Sequence, residues 1–165
     1  MHETFMRRAL EIARQSFDEP GALPYSAVVV KDGRIVGEGL NRTNGKCDPT
    51  SHGEVEAIRD ACTRLGTLDL SDCDLYTTAE PCSMCVATMY LSGISRLYYA
   101  LAVPDSAAFM ARLAARDPKW QRRISAADLR REVALPMDQR QMPAEAVLKD
   151  EAQALFDQFA QRQGA

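Results

Sequence analysis

Two short stretches, His52-Gly53-Glu54 and Pro81-Cys82-Ser83-Met84-Cys85, decide how this chain folds and which metal it suits. They supply one imidazole and two thiols, a donor set suited to a tetrahedral Zn²⁺ site. Three protein ligands leave the fourth position for water, which is typical of a catalytic zinc centre. The chain has only two histidines, and because His2 lies in a terminal segment, His52 is the one credible imidazole ligand.

Both stretches fall at predicted helix starts. Apolar residues at helical spacing over 55–65, followed by Gly66, predict a helix that begins near His52. Residues 82–91, followed by Gly93, predict a second helix that begins near Cys82. At a helix N-terminus the backbone dipole and the free N–H groups favour thiolate over thiol, so the scaffold helps to ionise its own ligands.

The remaining pattern alternates strands and helices. Residues 3–17 have the apolar spacing of an amphipathic helix, whereas residues 27–30, 35–36, 75–78 and 97–101 are typical of strands. A last helix with its apolar residues inward is predicted from Pro143 onward. This order predicts an α/β fold in which three α/β/α layers are built around a central mixed sheet.

Glu54 lies two positions after His52, in the first turn of the same predicted helix. Zinc lowers the pKa of bound water from 15.7 to about 7, and Glu54 is close enough to move protons at that water without binding the metal. We therefore predict Glu54 as the catalytic residue. Two alternatives remain open: Glu54 only stabilises the positive end of its helix, or Cys47 supplies a fourth ligand that closes a structural zinc site.

Several further segments accompany these motifs in order along the chain. They are Met6-Arg7-Arg8-Ala9-Leu10, Ala27-Val28-Val29-Val30, Gly39-Leu40-Asn41, Asp48-Pro49-Thr50 and Glu80-Pro81. Together they resemble the cytidine deaminase superfamily, and within it the branch of bacterial guanine deaminases and tRNA adenosine deaminases, over about the first two-thirds of the chain. The resemblance implies a cytidine deaminase-like fold with about five strands, one Zn²⁺ per chain, and hydrolytic deamination of a free nucleobase or nucleoside, with guanine the leading substrate.

The resemblance also implies substrate contacts. Asn41 would hydrogen-bond the bound base, and Glu80 would recognise a base amino group. Backbone groups near Gly53 and Ser83 would line the pocket. From the residues alone, Asn41 is equally typical of a turn.

Three aromatic residues, Tyr25, Phe109 and Trp120, are candidate surfaces for stacking on an aromatic substrate, although aromatic side chains more often belong to the core. Tyr25-Ser26 stands where the family often has Phe-Gly, and Gly53 stands where it often has Ala. These two departures predict a pocket whose shape differs from that of the family.

The charge balance bears on the choice of substrate. The formal net charge is −3 and the isoelectric point is near 5.4, which disfavours binding nucleic acid through its phosphates. Arg122-Arg123 and Arg130-Arg131 are interspersed with acidic residues and are interpreted as a solvated face. A small-molecule nucleobase or nucleoside is therefore favoured. The alternatives are adenosine-to-inosine editing of tRNA, deamination of cytosine-like, isocytosine-like or triazine rings, and a non-enzymatic zinc domain.

At 165 residues the chain is expected to form one deaminase domain, 1–165, whose divergent segment from about residue 104 shapes the pocket or a dimer. No apolar run reaches the roughly 18 residues of a membrane span, so no membrane partner is expected. Five cysteines without a secretory signal favour thiols or a metal site over disulfides, and a cytoplasmic location. The resemblance implies a homodimer.

Overall fold

The computed structural model describes residues 2–164. Both helices predicted at the metal motifs are confirmed, and so are all four predicted strands. The elements in chain order are α1 (His2–Arg14), β1 (Leu23–Lys31), β2 (Arg34–Asn41), α2 (Thr43–Lys46), α3 (Gly53–Leu65), β3 (Cys73–Ala79), α4 (Ser83–Ser92), β4 (Arg96–Leu101), α5 (Val103–Arg116), α6 (Ala126–Ala134) and α7 (Lys149–Arg162).

The four strands form one mixed sheet in the order β2-β1-β3-β4. β1 pairs antiparallel with both β2 and β3, whereas β3 and β4 are parallel. Helices cover both faces, so the three-layer α/β/α fold is confirmed. The sheet has four strands instead of about five, because the chain after β4 turns at once into α5. Pro104 in the first turn of α5 suits a helix start, where its missing N–H costs nothing.

The central strand β1 shows why the molecule has three layers. Its consecutive side chains point to opposite faces of the sheet, and Ala27 to Val30 are all buried. Ala27 and Val29 join the apolar cluster on the face covered by α3 and α4. Val28 and Val30 join the cluster on the face covered by α1, whose members are Phe5, Ala9, Ile12, Ala22, Val28, Val30, Leu40 and Tyr76.

Helix α3 lies directly on β2 because glycines stand where the two elements meet. A Cβ atom added at Gly39 would collide with the backbone of Gly53 and Ala57, and one added at Gly37 would collide with the backbone of Ala57 and Ala61. Only residues without a side chain permit this approach. The packing sets the position of the N-terminus of α3, where the motif that begins at His52 lies.

The chain divides into two compact units, one ending at Arg130 and one beginning at Arg131. In the second unit, Arg140 Nε donates a hydrogen bond to Leu135 O over 3.0 Å, which closes the turn that follows α6. Helix α7 begins at Lys149 and not at Pro143. Its side chains Phe156 and Phe159 are 69% and 63% exposed, so the expectation that they point inward is wrong.

The apolar spacing predicts one helix over residues 3–17, but the helix ends at Arg14 and a single 3-10 turn follows at Gln15–Phe17. The change of helical pitch turns Phe17 outward, and its side chain is 77% exposed. None of the described helices combines the length and the apolar character that a membrane crossing requires.

Replacing Gly39 by Ala is expected to destabilise the protein by about 1–3 kcal/mol or more, since the new methyl group meets backbone atoms that cannot rotate away. Urea unfolding followed by circular dichroism measures this change. Gly45→Ala is the matched control, because the nearest atom to its added Cβ is Pro20 O at 3.4 Å, and it should stay within about 0.5 kcal/mol of the parent. Equal stability of the two variants would contradict the close packing of α3 on β2.

Candidate zinc and substrate site

Three donor atoms from separate parts of the sequence meet at the helix starts. His52 Nδ1 lies 3.7 Å from Cys82 Sγ and 3.4 Å from Cys85 Sγ, and the two sulfurs are 3.7 Å apart. Zinc–ligand bond lengths and tetrahedral angles place two sulfurs about 3.8 Å apart, and a sulfur and a nitrogen about 3.6 Å apart. The donor set therefore fits Zn²⁺ as it stands.

The local structure around the donors explains this agreement. His52 and Cys82 are the N-cap residues of α3 and α4, and both have extended backbone conformations that turn the chain into its helix. Neither side chain accepts a capping hydrogen bond from its own helix, so both remain available to a metal. Cys85 follows Cys82 by three residues, which returns it to the same side of α4 after nearly one turn.

The two thiols are strongly coupled. The hydrogen bond with Cys85 lowers the pKa of Cys82 to about 3, and the hydrogen bond with His52 adds to this effect, while burial opposes it. The same interaction and burial raise the pKa of Cys85. Burial works to lower the pKa of His52, but the hydrogen bond and the charge of Cys82 outweigh it and leave the pKa raised. A divalent cation between these groups would favour the ionised thiols and the neutral imidazole.

Glu54 is the second residue of α3 and is only 5% exposed. Burial raises the pKa of its carboxyl group above the usual range, because desolvation disfavours the charged form. Among the described residues, the cluster whose donor atoms all lie within 4.8 Å consists of His52, Cys82 and Cys85 and does not include Glu54. This position suits a group that exchanges protons beside a metal without ligating it.

A cavity of about 40 Å³ adjoins the cluster and contains most of the predicted site side chains in its wall. Gly53 and Ser83 do not line it but begin the two helices that carry the ligands. Cys85 lies behind the wall and is fully buried. The lining residues are Tyr25, Asn41, His52, Glu54, Ala79, Glu80, Cys82, Val103, Ser106, Arg122 and Ala126.

Hydrogen bonds fix the polar side chains of this wall. Asn41 ends β2, and its Oδ1 accepts a hydrogen bond from Thr43 Oγ1 over 3.0 Å, so it both forms a turn and lines the cavity. Glu80 Oε2 accepts a hydrogen bond from Val103 N over 3.1 Å, and its other oxygen lies 3.6 Å from Arg130. Glu80 thereby ties the start of α5 to the end of β3.

Arg122 belongs to the site as well, although its sequence context predicts a solvated face. Its guanidinium carbon lies 5.6 Å from the centre of the Tyr25 ring, and its side chain lines the cavity. Val103, Ser106 and Ala126 also line the cavity and were not predicted. No local motif marks these residues, because they reach the cavity only through the path of the chain after β4.

A larger groove of about 570 Å³ adjoins the cavity and shares Asn41, His52, Cys82, Arg122 and Ala126 with it. Trp120 and three cationic residues, Lys119, Arg122 and Arg123, line this groove. Phe109 does not line it and instead packs edge-on against Tyr25, with ring centres 6.0 Å apart.

Cys47 also lies in the groove but not in the donor cluster, and its Sγ contacts Asn44 O at 3.9 Å. Within the described part of the chain, the closed structural site therefore lacks its fourth ligand.

Comparison with known proteins agrees with this site. The family model of the cytidine and deoxycytidylate deaminase zinc-binding region matches residues 1–101. The chain is 44% identical over 106 residues to guanine deaminase of Bacillus subtilis, which covers 64% of this chain and 68% of that protein. It is 41% identical over 97 residues to the tRNA-specific adenosine deaminase of Aquifex aeolicus, covering 59% of this chain and 64% of that one.

Similarity of structure extends further along the chain than similarity of sequence. The crystal structure of guanine deaminase from Bacillus subtilis superimposes with a TM-score of 0.82 at 34% identity, and the match covers 98% of this chain and 94% of that one. The family model spans more than half of the chain and includes all three donor residues. The chain therefore belongs to the cytidine and deoxycytidylate deaminase zinc-binding family.

Proposed function

We propose that this chain hydrolytically deaminates a free nucleobase or nucleoside and releases ammonia, with guanine as the leading substrate. The observation that carries the proposal is the cavity in which the Glu54 carboxyl group stands beside the three zinc donors. The similarity to a guanine deaminase over nearly the full chain supports guanine as the first substrate to test.

In the proposed mechanism, His52, Cys82 and Cys85 hold the zinc and Glu54 moves the protons. When bound, zinc supplies a nucleophile at neutral pH by lowering the pKa of water. Glu54 accepts the proton that the attacking water loses and donates it to the ring nitrogen beside the attacked carbon. It then passes the second proton of the water to the amino group, so the C–N bond breaks and ammonia leaves. The raised pKa of the buried Glu54 suits both directions of transfer.

Substrate contacts are assigned to the side chains of the cavity wall. Asn41 and Glu80 supply hydrogen-bonding groups, and Tyr25 supplies an aromatic face. Backbone groups of Gly53 and Ser83, at the starts of the ligand-bearing helices, complete the pocket. Cytosine-like, isocytosine-like and triazine rings carry the same amidine unit and are the next substrates to test.

A second candidate function is the editing of adenosine in tRNA. The observation in its favour is the wide groove outside the cavity, which carries Lys119, Arg122 and Arg123. However, Lys119 Nζ already forms an ion pair with Asp117 at 2.6 Å. The net charge of −3 also opposes phosphate binding, so the free base remains the preferred substrate.

We further propose that residues 1–165 work as one deaminase domain in the cytoplasm and as a homodimer. All five cysteines are free, which suits a reducing compartment. Ser106, Arg122 and Ala126 line the cavity, which supports a role in pocket shape for the segment after residue 104.

An apolar surface supports the dimer. β4 is an edge strand of the sheet, and Tyr99 and Leu101 on it are 48% exposed. On α4, which precedes β4, Tyr90 and Leu91 are 84% and 88% exposed. Exposed large apolar side chains on an edge strand and on the helix before it favour association with another chain.

Replacing Glu54 by Gln is expected to lower kcat by about 100- to 10,000-fold, since the proton shuttle is lost, while the zinc content measured by atomic emission stays unchanged. Glu56→Gln is the matched control, because Glu56 pairs with Lys46 and Arg59 on the other side of α3 and should keep its activity. Full activity of Glu54→Gln would contradict the mechanism.

Ammonia release from guanine, guanosine, cytosine, isocytosine, adenine, adenosine and a tRNA transcript distinguishes the candidate functions. We expect turnover of a free base whose rate changes less than about twofold between 50 and 200 mM salt, because few phosphate contacts are formed. Turnover of tRNA alone, with a steep loss at high salt, would replace the proposal with the editing function.

Leu91→Arg is expected to convert the dimer to a monomer at micromolar concentration, since a charge cannot be buried unpaired in an apolar interface. Sedimentation velocity measures the change, with circular dichroism to confirm the fold. Leu68→Arg is the control, as Leu68 is 83% exposed but lies in the loop before β3. A monomeric parent protein would contradict the dimer.

A further inference from the structure

Arg122 lies in the loop between the 3-10 turn at Pro118–Trp120 and α6 and reaches the wall of the inner cavity. Its guanidinium carbon stands 5.6 Å from the centre of the Tyr25 ring, within the range of a cation–π contact. Asn41 and Glu54 line the same cavity. A planar cation is thus held beside the group that would perform the proton transfers.

The charge of Arg122 has no counter-ion among the described residues, where no carboxylate lies within 4 Å of it. The neighbouring cations differ, since Lys119 pairs with Asp117 at 2.6 Å and Arg130 approaches Glu80 at 3.6 Å. Burial raises the pKa of Tyr25, whereas the charge of Arg122 and a hydrogen bond between the two side chains act in the opposite direction. A guanidinium has five N–H donors, so Arg122, which contacts Tyr25 and has no carboxylate partner, still has donors for the hydrogen-bond acceptors of a substrate.

We propose that Arg122 is a specificity-determining residue that donates two parallel hydrogen bonds to an adjacent pair of acceptors on the substrate ring, O6 and N7 in guanine. The inference rests on the proposed function, because it requires an aminopurine in the cavity. The guanidinium fork matches such a pair, and the same two acceptors are those that arginine most often contacts on guanine in DNA. Contact with the Tyr25 ring restricts the orientations that the guanidinium group of Arg122 can adopt.

A ring edge fits this position better than a phosphate group. Arg122 lines both the inner cavity and the outer groove, whereas Lys119 and Arg123 line only the groove. An acceptor that meets Arg122 inside the cavity shares a space of about 40 Å³ with Glu54, beside which the reacting ring lies in the proposed function. A 5′-phosphate, separated from the reacting ring by a sugar, would instead extend toward the groove.

The test compares guanine with 2-aminopurine, which carries the same amino group but has no oxygen at C6. In the zinc-loaded full chain, Arg122→Gln is expected to lower kcat/KM for guanine by about tenfold or more, which is the effect of losing one bidentate contact. Most of this change should appear in KM. The value for 2-aminopurine should change less than about threefold. Arg122→Lys should not restore the preference, since an ammonium group lacks the fork. Arg116→Gln, which removes the same charge from the exposed end of α5, should leave both values unchanged.

The affinity of the zinc-loaded Glu54→Gln variant for guanine, measured by calorimetry, gives a readout independent of turnover. Adding Arg122→Gln to this variant should weaken guanine binding by about the same factor as the loss in kcat/KM. An equal loss for guanine and 2-aminopurine would overturn the inference and leave Arg122 a structural contact of Tyr25. A larger loss for guanosine 5′-monophosphate than for guanine would overturn it in favour of a phosphate contact. If the parent protein deaminates guanine and Arg122→Gln keeps its preference, only this inference fails. If the parent neither binds nor deaminates guanine, the proposed function fails with it.

Discussion

The site depends on one constraint, which is that two helices must begin within a few ångströms of each other. His52 and Cys82 are both N-cap residues, and their donor atoms are 3.7 Å apart. Ligand distances in zinc sites vary by only about 0.2 Å. The packing beneath both helices must therefore fix the positions of their first residues to a similar accuracy. The close approach of α3 to β2 at Gly39 supplies that accuracy on one side. On the other side, α4 follows directly from β3, and Cys85 and Met89 bury its inner face in the core.

The same geometry explains why a carboxyl group is buried beside the donors. Glu54 loses hydration at the N-terminus of α3, which raises its pKa and costs stability. Strongly perturbed pKa values concentrate at functional sites, and Glu54 lines the cavity beside the zinc donors, which supports the proton-transfer role proposed for it. In the proposed function, His52, Cys82 and Cys85 would hold a zinc ion that would supply an activated water, and Glu54 would move the protons.

Features that depend on neighbouring residues in the sequence were predicted correctly, whereas features that depend on the path of a distant loop were not. His52 and Cys82 were placed at helix starts from adjacent apolar patterns alone, and the structure confirms both positions. Arg122 was misinterpreted because its role follows from the path of a loop, for which sequence spacing carries no signal. The apolar residues of α7 recur at helical spacing, but such a pattern does not determine which other surface buries them. In the structure Phe156 is exposed. The sheet has four strands where the resemblance implies about five, and after β4 the chain continues directly into α5, whose first turn contains Pro104.

We propose that three side chains of this chain, His52, Cys82 and Cys85, hold the zinc and leave one position for a non-protein ligand. X-ray absorption at the zinc edge of the loaded protein measures this most directly. The account predicts two sulfur neighbours at about 2.3 Å and two nitrogen or oxygen neighbours at about 2.0–2.1 Å, unchanged when Cys47 is replaced by Ser. Three sulfur neighbours, with the third lost in Cys47→Ser, would show a closed structural site and contradict the account.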